Sequence, residues 1–419
     1  MYPSVRDLPV SRTSADRSQR VGGTVLALGT VSLLTDISSE MVTAVLPVYL
    51  TLAVGLSPLA FGFLDGIYQG VSVLVRLAGG YAADRFGRPK ATAQLGYGLS
   101  AVCKLGLVAA TGPAGIGAVL AVDRTGKGLR TAPRDALISA AVPPVLLGRA
   151  FGVHRAMDTA GAMLGPLLAF SLLLFLPGDY DSVFLTSFAV AVLGCAVLWP
   201  FVRERPALPG RDPVRWRALR SLVADAPLRR VALVSLVLGL LTVSDGFIYL
   251  LLRDRGVVDA LFFPLLFVGT ATVYLLLAVP LGRLADRVGR VPVLLGGHVA
   301  LLLTYLTLLG SGLLGGAVLV AAVLAGLGAY YAATDGVLAA AVAAGLTDPR
   351  LRGSGIALVQ TAVAAGRLLS AVVFGLLWTA WDQHAAMVVF AVALALALPV
   401  AWRLLRTATP SPSRDDLHA

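Results

Sequence analysis

The sequence predicts an all-α membrane protein whose twelve transmembrane helices form two pseudo-symmetric six-helix bundles. Its 419 residues are 57% hydrophobic and 14% charged, whereas a soluble domain is about a quarter charged. Apolar runs of about 20 residues recur along the whole chain, and each is long enough to cross the ~30 Å hydrocarbon layer as a helix. The two halves of the chain also carry the same short motif. A duplicated helical bundle in a bilayer accounts for all three observations.

Turn residues and charges mark the ends of the apolar runs. They predict helices near 22–54, 59–83, 91–111, 115–140, 150–175, 184–202, 230–253, 260–284, 292–312, 316–341, 354–378 and 385–406. The chain therefore divides into a cytoplasmic tail, an N-terminal bundle, a cytoplasmic linker, a C-terminal bundle and a second cytoplasmic tail, which cover 1–21, 22–202, 203–229, 230–406 and 407–419. The linker has an amphipathic pattern that predicts a short helix on the inner membrane surface, with its apolar face formed by Trp216, Leu219, Leu222 and Val223.

Basic residues are distributed unevenly between the two sides of the predicted bundles. One set of connections contains the arginine-rich linker together with Arg85, Arg88, Lys90, Arg149, Arg287, Arg290, Arg350 and Arg352. The opposite connections lack Lys and Arg, apart from Arg253 and Arg255. Because basic loops stay in the cytoplasm, we expect both termini there. We expect the plasma (inner) membrane of a prokaryote-like cell as the location.

The composition argues against other classes of protein. The formal net charge is +11, but the arginines lie in short loops rather than along one polar face, so we expect no nucleic-acid partner. Cys103 and Cys195 both lie inside apolar runs, which leaves no disulfide framework and no cysteine metal site. The four histidines are scattered and no nucleotide-binding motif is present. We therefore expect neither an enzyme nor a cofactor.

The repeated motif follows the second and the eighth predicted helices. Its two copies are Gly80-Tyr-Ala-Ala-Asp84-Arg85-Phe-Gly87-Arg88 and Gly282-Arg-Leu-Ala-Asp286-Arg287-Val-Gly289-Arg290. An aspartate, Asp135 or Asp335, ends the second helix after each copy. The first glycine of each copy suits a close approach of two helices. We expect Arg88 to reach Asp135, and Asp286, Arg290 and Asp335 to form the equivalent cluster.

This pair of motifs resembles the loop signature of the major facilitator superfamily, and the resemblance extends over about residues 22–406. It implies a carrier that works by alternating access, in which the two charged clusters hold the inner gate shut in the outward-facing state. It also implies a small-molecule substrate, protons and the lipid bilayer as partners. We expect the protein to be a monomer.

Two further motifs are similar to those of drug/proton antiporters in that superfamily. Arg124-Thr-Gly-Lys127-Gly128 in the fourth helix resembles a pattern of Arg, two residues, Gln and Gly, with Lys127 in place of the glutamine. Gly161-Ala-Met-Leu-Gly165-Pro166 in the fifth helix resembles the antiporter signature, with Ala169-Phe170 in place of paired glycines. The subclass that these motifs imply is a drug/proton antiporter.

Charged side chains inside the predicted helices indicate where the transport site lies, since each is unfavourable in lipid unless it is paired or hydrated. Counting ~1.5 Å per residue from the helix ends places Asp36 and Arg124 at similar depths, so we expect these two to pair. Glu40 lies one turn from Asp36, and Asp245 lies at a matching depth in the other half. Competition between substrate and acid for the arginine would couple protons to transport. The candidate coupling and cavity residues are Asp36, Glu40, Arg124, Lys127 and Asp245.

Other embedded charges leave alternatives open. Asp65 and Arg367 have no partner that the sequence assigns. Arg155 and Asp158 are three residues apart and are expected to form a local ion pair, and His298 is expected to be a packed side chain. A basic cluster in the first bundle suits phosphate or carboxylate substrates; it comprises Arg76, Lys104, Lys127, Arg130 and Arg134. The sequence thus predicts a proton-coupled exporter of small organic molecules, with an uptake symporter or an organic-anion or phosphate-ester exchanger as the alternative.

Overall fold

A computed structural model describes residues 23–86, 88–143, 146–201, 224–345 and 352–406 of the chain. The first half contains α1 (Gly23–Val48, extended by a π-helical turn over Tyr49–Ala53), α2 (Pro58–Phe86), α3 (Pro89–Ala109), α4 (Gly112–Ala141), α5 (Leu147–Phe175) and α6 (Tyr180–Phe201). The second half contains α7 (Ala226–Leu240), α8 (Asp245–Asp254), α9 (Phe263–Val288), α10 (Arg290–Leu309), α11 (Gly316–Gly345), α12 (Arg352–Ala380) and α13 (Gln383–Arg406).

The helix ends agree with the predicted spans to within about one turn, except in the seventh span. The sequence predicts one continuous helix over 230–253, whereas the structure has α7 and α8 separated by a break at residues 241–244. These two helices together make one crossing, so the described part of the chain has twelve membrane-crossing segments. The predicted all-α architecture is confirmed. The predicted surface helix and both tails fall almost entirely outside the described residues.

Ten of the twelve segments are long and apolar enough to span a membrane by length and composition alone. The other two, α3 and α4, carry charges that lower their hydropathy. Three of these charged residues, Lys104, Asp123 and Arg124, are at most 3% exposed. These three charges are thus buried between helices of the first half rather than exposed to lipid, which is how two segments of lower hydropathy can still cross the membrane.

Close helix pairs within each half depend on glycine. A Cβ atom on Gly96 of α3 would lie 2.6 Å from the carbonyl oxygen of Gly126 in α4. In the second half, a Cβ atom on Gly239 of α7 would lie 2.7 Å from the carbonyl oxygen of Val363 in α12. In membranes, where helices gain little from burying apolar surface against each other, such small residues allow backbones to pack directly.

The break between α7 and α8 leaves backbone groups that need partners inside the bundle. The Tyr305 hydroxyl donates a hydrogen bond to the carbonyl oxygen of Leu241 at 3.0 Å and accepts one from the amide of Val243 at 2.7 Å. The Ser370 hydroxyl donates to the carbonyl oxygen of Thr242 at 2.7 Å. Side chains of α10 and α12 therefore replace the helical hydrogen bonds that the break removes.

An even number of crossings puts Gly23 and Arg406 on one face of the molecule, which we call the terminal face. Aromatic contacts join the halves near the opposite face. The ring of Phe61 in α2 packs edge-on against Phe247 in α8, with the centroids 4.7 Å apart. Phe170 in α5 stacks on Phe262 at the start of α9, with the centroids 5.9 Å apart.

The halves also meet through backbone contact between α2 and α12. A Cβ atom on Gly66 would lie 2.9 Å from the carbonyl oxygen of Leu368, and one on Gly375 would lie 2.5 Å from that of Pro58. Leu59 donates its amide hydrogen to the Thr379 hydroxyl at 3.0 Å. We call this region the α2–α12 contact. It lies toward the opposite face, because Pro58 begins α2 there.

The two arginines that depart from the charge bias have local partners at the opposite face. The Nη1 atom of Arg253 lies 3.0 Å from Oδ1 of Asp254. Arg255 donates hydrogen bonds to the carbonyl oxygen of Leu308 and the hydroxyl of Ser311, at the end of α10. Basic side chains often satisfy the last carbonyl groups of a helix, so these two residues have a structural explanation.

Candidate functional site

Basic side chains of α4 face acidic side chains of α1 in the middle of the first half. The Nζ atom of Lys127 lies 4.0 Å from Oε1 of Glu40, and Nη2 of Arg130 lies 3.7 Å from Oδ1 of Asp36. Residues three or four apart share a helix face, which explains why each helix contributes two charges to this contact. Arg130 is 3% exposed, and its guanidinium lies 4.6 Å from the centroid of the Tyr97 ring.

The predicted pair between Asp36 and Arg124 is not formed. Arg124 binds its neighbour Asp123 instead, with Nη2 and Nε lying 2.5 Å and 2.9 Å from Oδ2. The predicted equal depth of Asp36 and Arg124 is wrong. Both α1 and α4 are longer than the bilayer is thick, so counting Asp36 from one face and Arg124 from the other does not place them on a common scale. Counted from the terminal face, Asp36 lies about 20 Å along α1, whereas Arg130 and Arg124 lie about 17 Å and 26 Å along α4.

Arg124 belongs to a fully buried charge network between α2, α3 and α4. The Nζ atom of Lys104 lies 2.6 Å from Oδ1 of Asp123, and the guanidinium of Arg124 lies 3.8 Å from the centroid of the Tyr68 ring. The Tyr68 hydroxyl in turn hydrogen-bonds to the Thr43 hydroxyl. Buried charges persist only when they are paired and hydrogen-bonded. We therefore interpret this network as part of the framework that fixes α4.

A second cluster surrounds Asp158 of α5. Its carboxylate lies 3.7 Å from Arg134, 3.9 Å from His154 and 3.8 Å from Arg155. The predicted local pair of Arg155 with Asp158 is thus confirmed, although the side chain of Arg155 is 81% exposed. The Asp158 carboxyl group is also a close neighbour of the Asp36 carboxyl group. Two carboxylates this close repel each other unless a proton or a cation lies between them.

The glycines of the fifth-helix motif pack α5 against α1. A Cβ atom on Gly161 would lie 2.6 Å from the carbonyl oxygen of Leu33, and one on Gly165 would lie 2.7 Å from that of Ile37. The added atom on Gly165 would also lie 2.9 Å from the Cβ atom of Glu40. Pro166 follows, buried within α5. The motif therefore sets the distance between α1 and α5 at the turns that carry the two acidic residues of α1.

Asp245 begins α8 at the helix break, where the Ser244 hydroxyl caps the helix by accepting a hydrogen bond from Phe247. The Tyr331 hydroxyl of α11 donates to Oδ1 of Asp245 at 2.7 Å. Asp65 of α2 is 7% exposed, lies beside Ser244, and has an Oδ2 atom without a partner among the described residues. Asp245 and Asp65 thus form a polar group at the break, on the boundary between the halves.

A cavity of about 380 Å³ lies between the halves on the terminal side of the α2–α12 contact. The side chain of Arg76 is 46% exposed and Asp335 is exposed, so the cavity opens toward the terminal face. Its polar lining includes Gln69, Arg76, His298, Tyr330, Asp335 and Arg367. The five candidate coupling residues are not among the described residues that line it. His298 is packed as expected, edge-on against Tyr330 with the centroids 5.2 Å apart.

The first copy of the repeated motif lies at the terminal end of α2. Gly80, Asp84 and Arg85 lie in α2, but the structure describes only their backbone, and Gly87 lies outside the described residues. Arg88 is exposed, and the predicted Arg88–Asp135 contact is replaced by other partners. Asp135 lies 3.1 Å from Arg134 and 3.7 Å from Arg76.

The second copy of the motif also differs from its prediction. Gly282 has no atom of another helix within 4 Å of a Cβ position, so it does not make the expected close approach. Asp286 and Arg287 are exposed, and Gly289 joins α9 to α10 with a φ of +97°, a conformation that favours glycine. Asp335 lines the open cavity, and the cluster of Asp286, Arg290 and Asp335 stays a prediction for the state in which the cavity closes at this face.

Sequence reasoning missed the helix break and the charged partners of two tyrosines. A signal for the break was present, since Ser244 followed by Asp245 is a helix-start pattern. The Tyr331 hydroxyl donates to Asp245, and the Tyr68 ring packs against the guanidinium of Arg124. Nothing in the sequence separates these two tyrosines from those that only pack. Their roles depend on which helices are neighbours.

The sequence model of the Major Facilitator Superfamily matches residues 28–257 and 257–418. This chain belongs to the Major Facilitator Superfamily. It is 33% identical over 297 residues to an uncharacterized transporter of this type from Methanocaldococcus jannaschii, which covers 68% of this chain and 71% of the relative. An uncharacterized protein of Mycobacterium tuberculosis is 32% identical over 163 residues, or 38% of this chain and 39% of that protein.

Solved structures share the fold at low sequence identity. A nucleoside transporter has a TM-score of 0.79 at 14% identity, covering 91% of this chain and 99% of its own. A bacterial homologue of the lysosomal transporter Spinster scores 0.72 at 17% identity, covering 93% and 98%. A D-xylose–proton symporter scores 0.73 at 14% identity, covering 91% and 97%. The family membership makes the chain a multi-pass membrane transporter of a solute rather than a member of an enzyme family.

Proposed function

We propose that this transporter exports a small organic solute across the plasma membrane in exchange for protons, with both termini in the cytoplasm. The observation that carries the proposal is the position of Asp36, which has a buried arginine, Arg130, on one side and a second acid, Asp158, on the other. The uneven distribution of arginines supports the orientation. In that orientation the central cavity faces the cytoplasm, as loading for export requires.

Proton coupling follows from the charges around Asp36. A proton on Asp36 or Asp158 relieves the repulsion between the two carboxylates, while a deprotonated Asp36 holds Arg130. Arg130 and Lys127 lie on one face of α4, so a movement of α4 changes the ion pairs of both Asp36 and Glu40. Proton binding and helix position are therefore linked through the same four side chains.

The gate of the exporter is formed by the two repeated motifs in this proposal. Both copies lie at the terminal face, beside the mouth of the cavity. We propose that Asp84, Arg85 and Arg88 of the first copy and Asp286, Arg287 and Arg290 of the second copy take part in the ion pairs that hold the cavity closed at this face. Asp135 and Asp335 serve as their acidic partners, and Gly289, with its positive φ, allows the sharp turn between α9 and α10.

The test is transport by purified protein in proteoliposomes. Compounds that stabilise the protein against heating are selected from a library, then supplied with an imposed pH gradient. We expect solute to accumulate against its gradient and protons to move the other way. Asp36→Asn should abolish gradient-driven accumulation but retain exchange of labelled for unlabelled solute. Asp179→Asn is the matched control and should behave as wild type, because Asp179 accepts hydrogen bonds from Ser182 at the start of α6 and asparagine can still accept one there.

Transport that ignores both the pH gradient and a protonophore would contradict proton coupling. Accumulation in the same direction as the protons would instead support the alternative, an uptake symporter. An organic-anion exchanger is the second alternative, and the presence of Arg367 in the cavity favours an anionic solute for either mechanism.

A further inference from the structure

Arg367 of α12 differs from the other basic side chains deep in the bundle. Arg124, Arg130, Arg134 and Lys127 each have a carboxylate within 4.0 Å. Arg367 has none at that distance among the described residues. A guanidinium is never neutral at physiological pH, so this part of the cavity holds a positive charge without a direct counter-ion.

The surroundings of Arg367 hold it in place without a direct ion pair, although Asp335 and Asp245 act on it from beyond 4.0 Å. Its Nη2 atom donates a hydrogen bond to the hydroxyl of Tyr330 at 3.1 Å, and its Nε atom is buried without a hydrogen-bond partner among the described residues. Its guanidinium lies 5.9 Å and 5.6 Å from the ring centroids of Tyr330 and Tyr331. Asp245, a carboxylate of the same region, already accepts a hydrogen bond from Tyr331. The guanidinium of Arg367 can therefore donate hydrogen bonds beyond the one that it gives to Tyr330.

The lining of the cavity carries two other charges. Arg76 pairs with Asp135, 3.7 Å away, while Asp335 is more than 4.0 Å from Arg367 but is the carboxylate of the lining that acts on it electrostatically. The lining also combines Arg367 with apolar residues that include Leu238, Leu294 and Val363. A cavity of about 380 Å³ is within the usual range for small-molecule sites.

We propose that Arg367 is the recognition residue for a small organic anion, whose carboxylate or phosphate group binds the guanidinium while its apolar body lies against the cavity walls. This inference rests on the proposed function, because it names the chemical class of the exported solute. A planar guanidinium fits both kinds of oxyanion. An amine would meet the positive charge of Arg367 at the same place, and a neutral compound would leave the guanidinium without a direct ion pair.

The test measures binding to the purified protein in lipid nanodiscs, with four probes that share one ring and differ in the polar group. They are benzoate, phenyl phosphate, benzyl alcohol and benzylamine. We expect one or both anions to raise the melting temperature in a saturable manner, and the alcohol and the amine to leave it unchanged. The two anions distinguish carboxylate from phosphate as the preferred group.

Variants then assign the effect to Arg367. Arg367→Gln should weaken anion binding about 10- to 100-fold, which corresponds to the loss of a charged hydrogen bond, and Arg367→Lys should retain part of it. Arg403→Gln, which removes an exposed arginine from α13, is the control and should bind as wild type. Size-exclusion profiles establish folding, and Arg367→Lys keeps the comparison available if Arg367→Gln does not fold.

The proposal is overturned if neither anion stabilises the wild-type protein more than benzyl alcohol, if benzylamine is preferred, or if the Arg367 variants bind anions as wild type does. Binding in nanodiscs needs no ion gradient. A failure here therefore leaves proton coupling intact, while a carrier that binds anions but ignores the pH gradient would contradict only the proposed coupling.

Discussion

The carboxylate of Asp36 lies 3.7 Å from the guanidinium of Arg130, which is nearer the terminal face than the predicted partner Arg124. The two arginines of α4 therefore have different environments. Arg130 contacts an acid that also adjoins Asp158, whereas Arg124 is fixed by two hydrogen bonds to Asp123 and by the Tyr68 ring. This difference predicts that the two positions separate transport from stability.

Replacing Arg130 should impair transport more than folding. Arg130→Gln leaves Asp36 without its cation, and we expect initial transport rates in proteoliposomes to fall at least about 10-fold, the effect of losing one charged interaction. Arg130→Lys keeps the charge and should retain an intermediate rate. A wild-type rate with unchanged dependence on the pH gradient in Arg130→Gln would remove this residue from the coupling site.

The buried network of Lys104, Asp123 and Arg124 should be sensitive to which member is lost. Asp123→Asn leaves two buried cations without their counter-ion, and we expect a loss of about 3–5 kcal/mol in the free energy of unfolding. Lys104→Met leaves Asp123 paired with Arg124 and should cost about 1–3 kcal/mol. Melting temperatures in detergent rank the two variants, and the reverse order would show that Asp123 is not the centre of the network.

Two glycines of α5 provide a matched pair for the contact with α1. Gly165→Ala places a methyl group against the backbone of Ile37, and we expect it to destabilise by about 1–3 kcal/mol and to slow transport. Gly152→Ala is exposed, with nothing within 4 Å of the added atom. It should be neutral or stabilise by up to about 1 kcal/mol because alanine favours helix. Equal melting temperatures for the two variants would contradict the close approach.

The helix break should depend on the hydroxyl of Tyr305. Tyr305→Phe removes the partner of both Leu241 and Val243, and we expect a loss of about 1–3 kcal/mol. Tyr97 has a buried hydroxyl without a partner among the described residues, so Tyr97→Phe should be neutral or slightly stabilising. Thermal unfolding compares them, and a harmless Tyr305→Phe would mean that other groups satisfy the break.

The fold could be predicted almost completely from sequence, because lipid forces each apolar run to form a helix and because the motif is duplicated. The helix break has only a weak sequence signal, Ser244 followed by Asp245, since Leu241 and Val243 are as apolar as their neighbours and the hydrogen bonds that stabilise the break come from Tyr305 and Ser370 of other helices. When a helix is longer than the bilayer is thick, counting from its end gives the depth of a side chain poorly. Counting from the helix ends therefore pairs Asp36 with Arg124, whereas the structure pairs it with Arg130.

The candidate site was predictable in its residue types but not in its grouping. The charges of α1, α4 and α5 are visible in the sequence, yet the adjacency of Asp36 and Asp158 depends on how closely two glycines bring α5 to α1. The repeated motif was found from sequence, but its ion pairs depend on the conformation. In this structure the cavity is open at that end, and Asp335 lines it.

The α2–α12 contact gives the molecule a mechanical lever. From Gly66 to the terminal end of α2 at Phe86 the helix extends about 30 Å. A rotation of about 10° at this fulcrum would move that end by about 5 Å, roughly one turn of helix. Because glycine lets the two backbones touch there, few side chains lie between α2 and α12. A small tilt of α2 at this contact would therefore move its terminal end instead of being taken up by side-chain rearrangement.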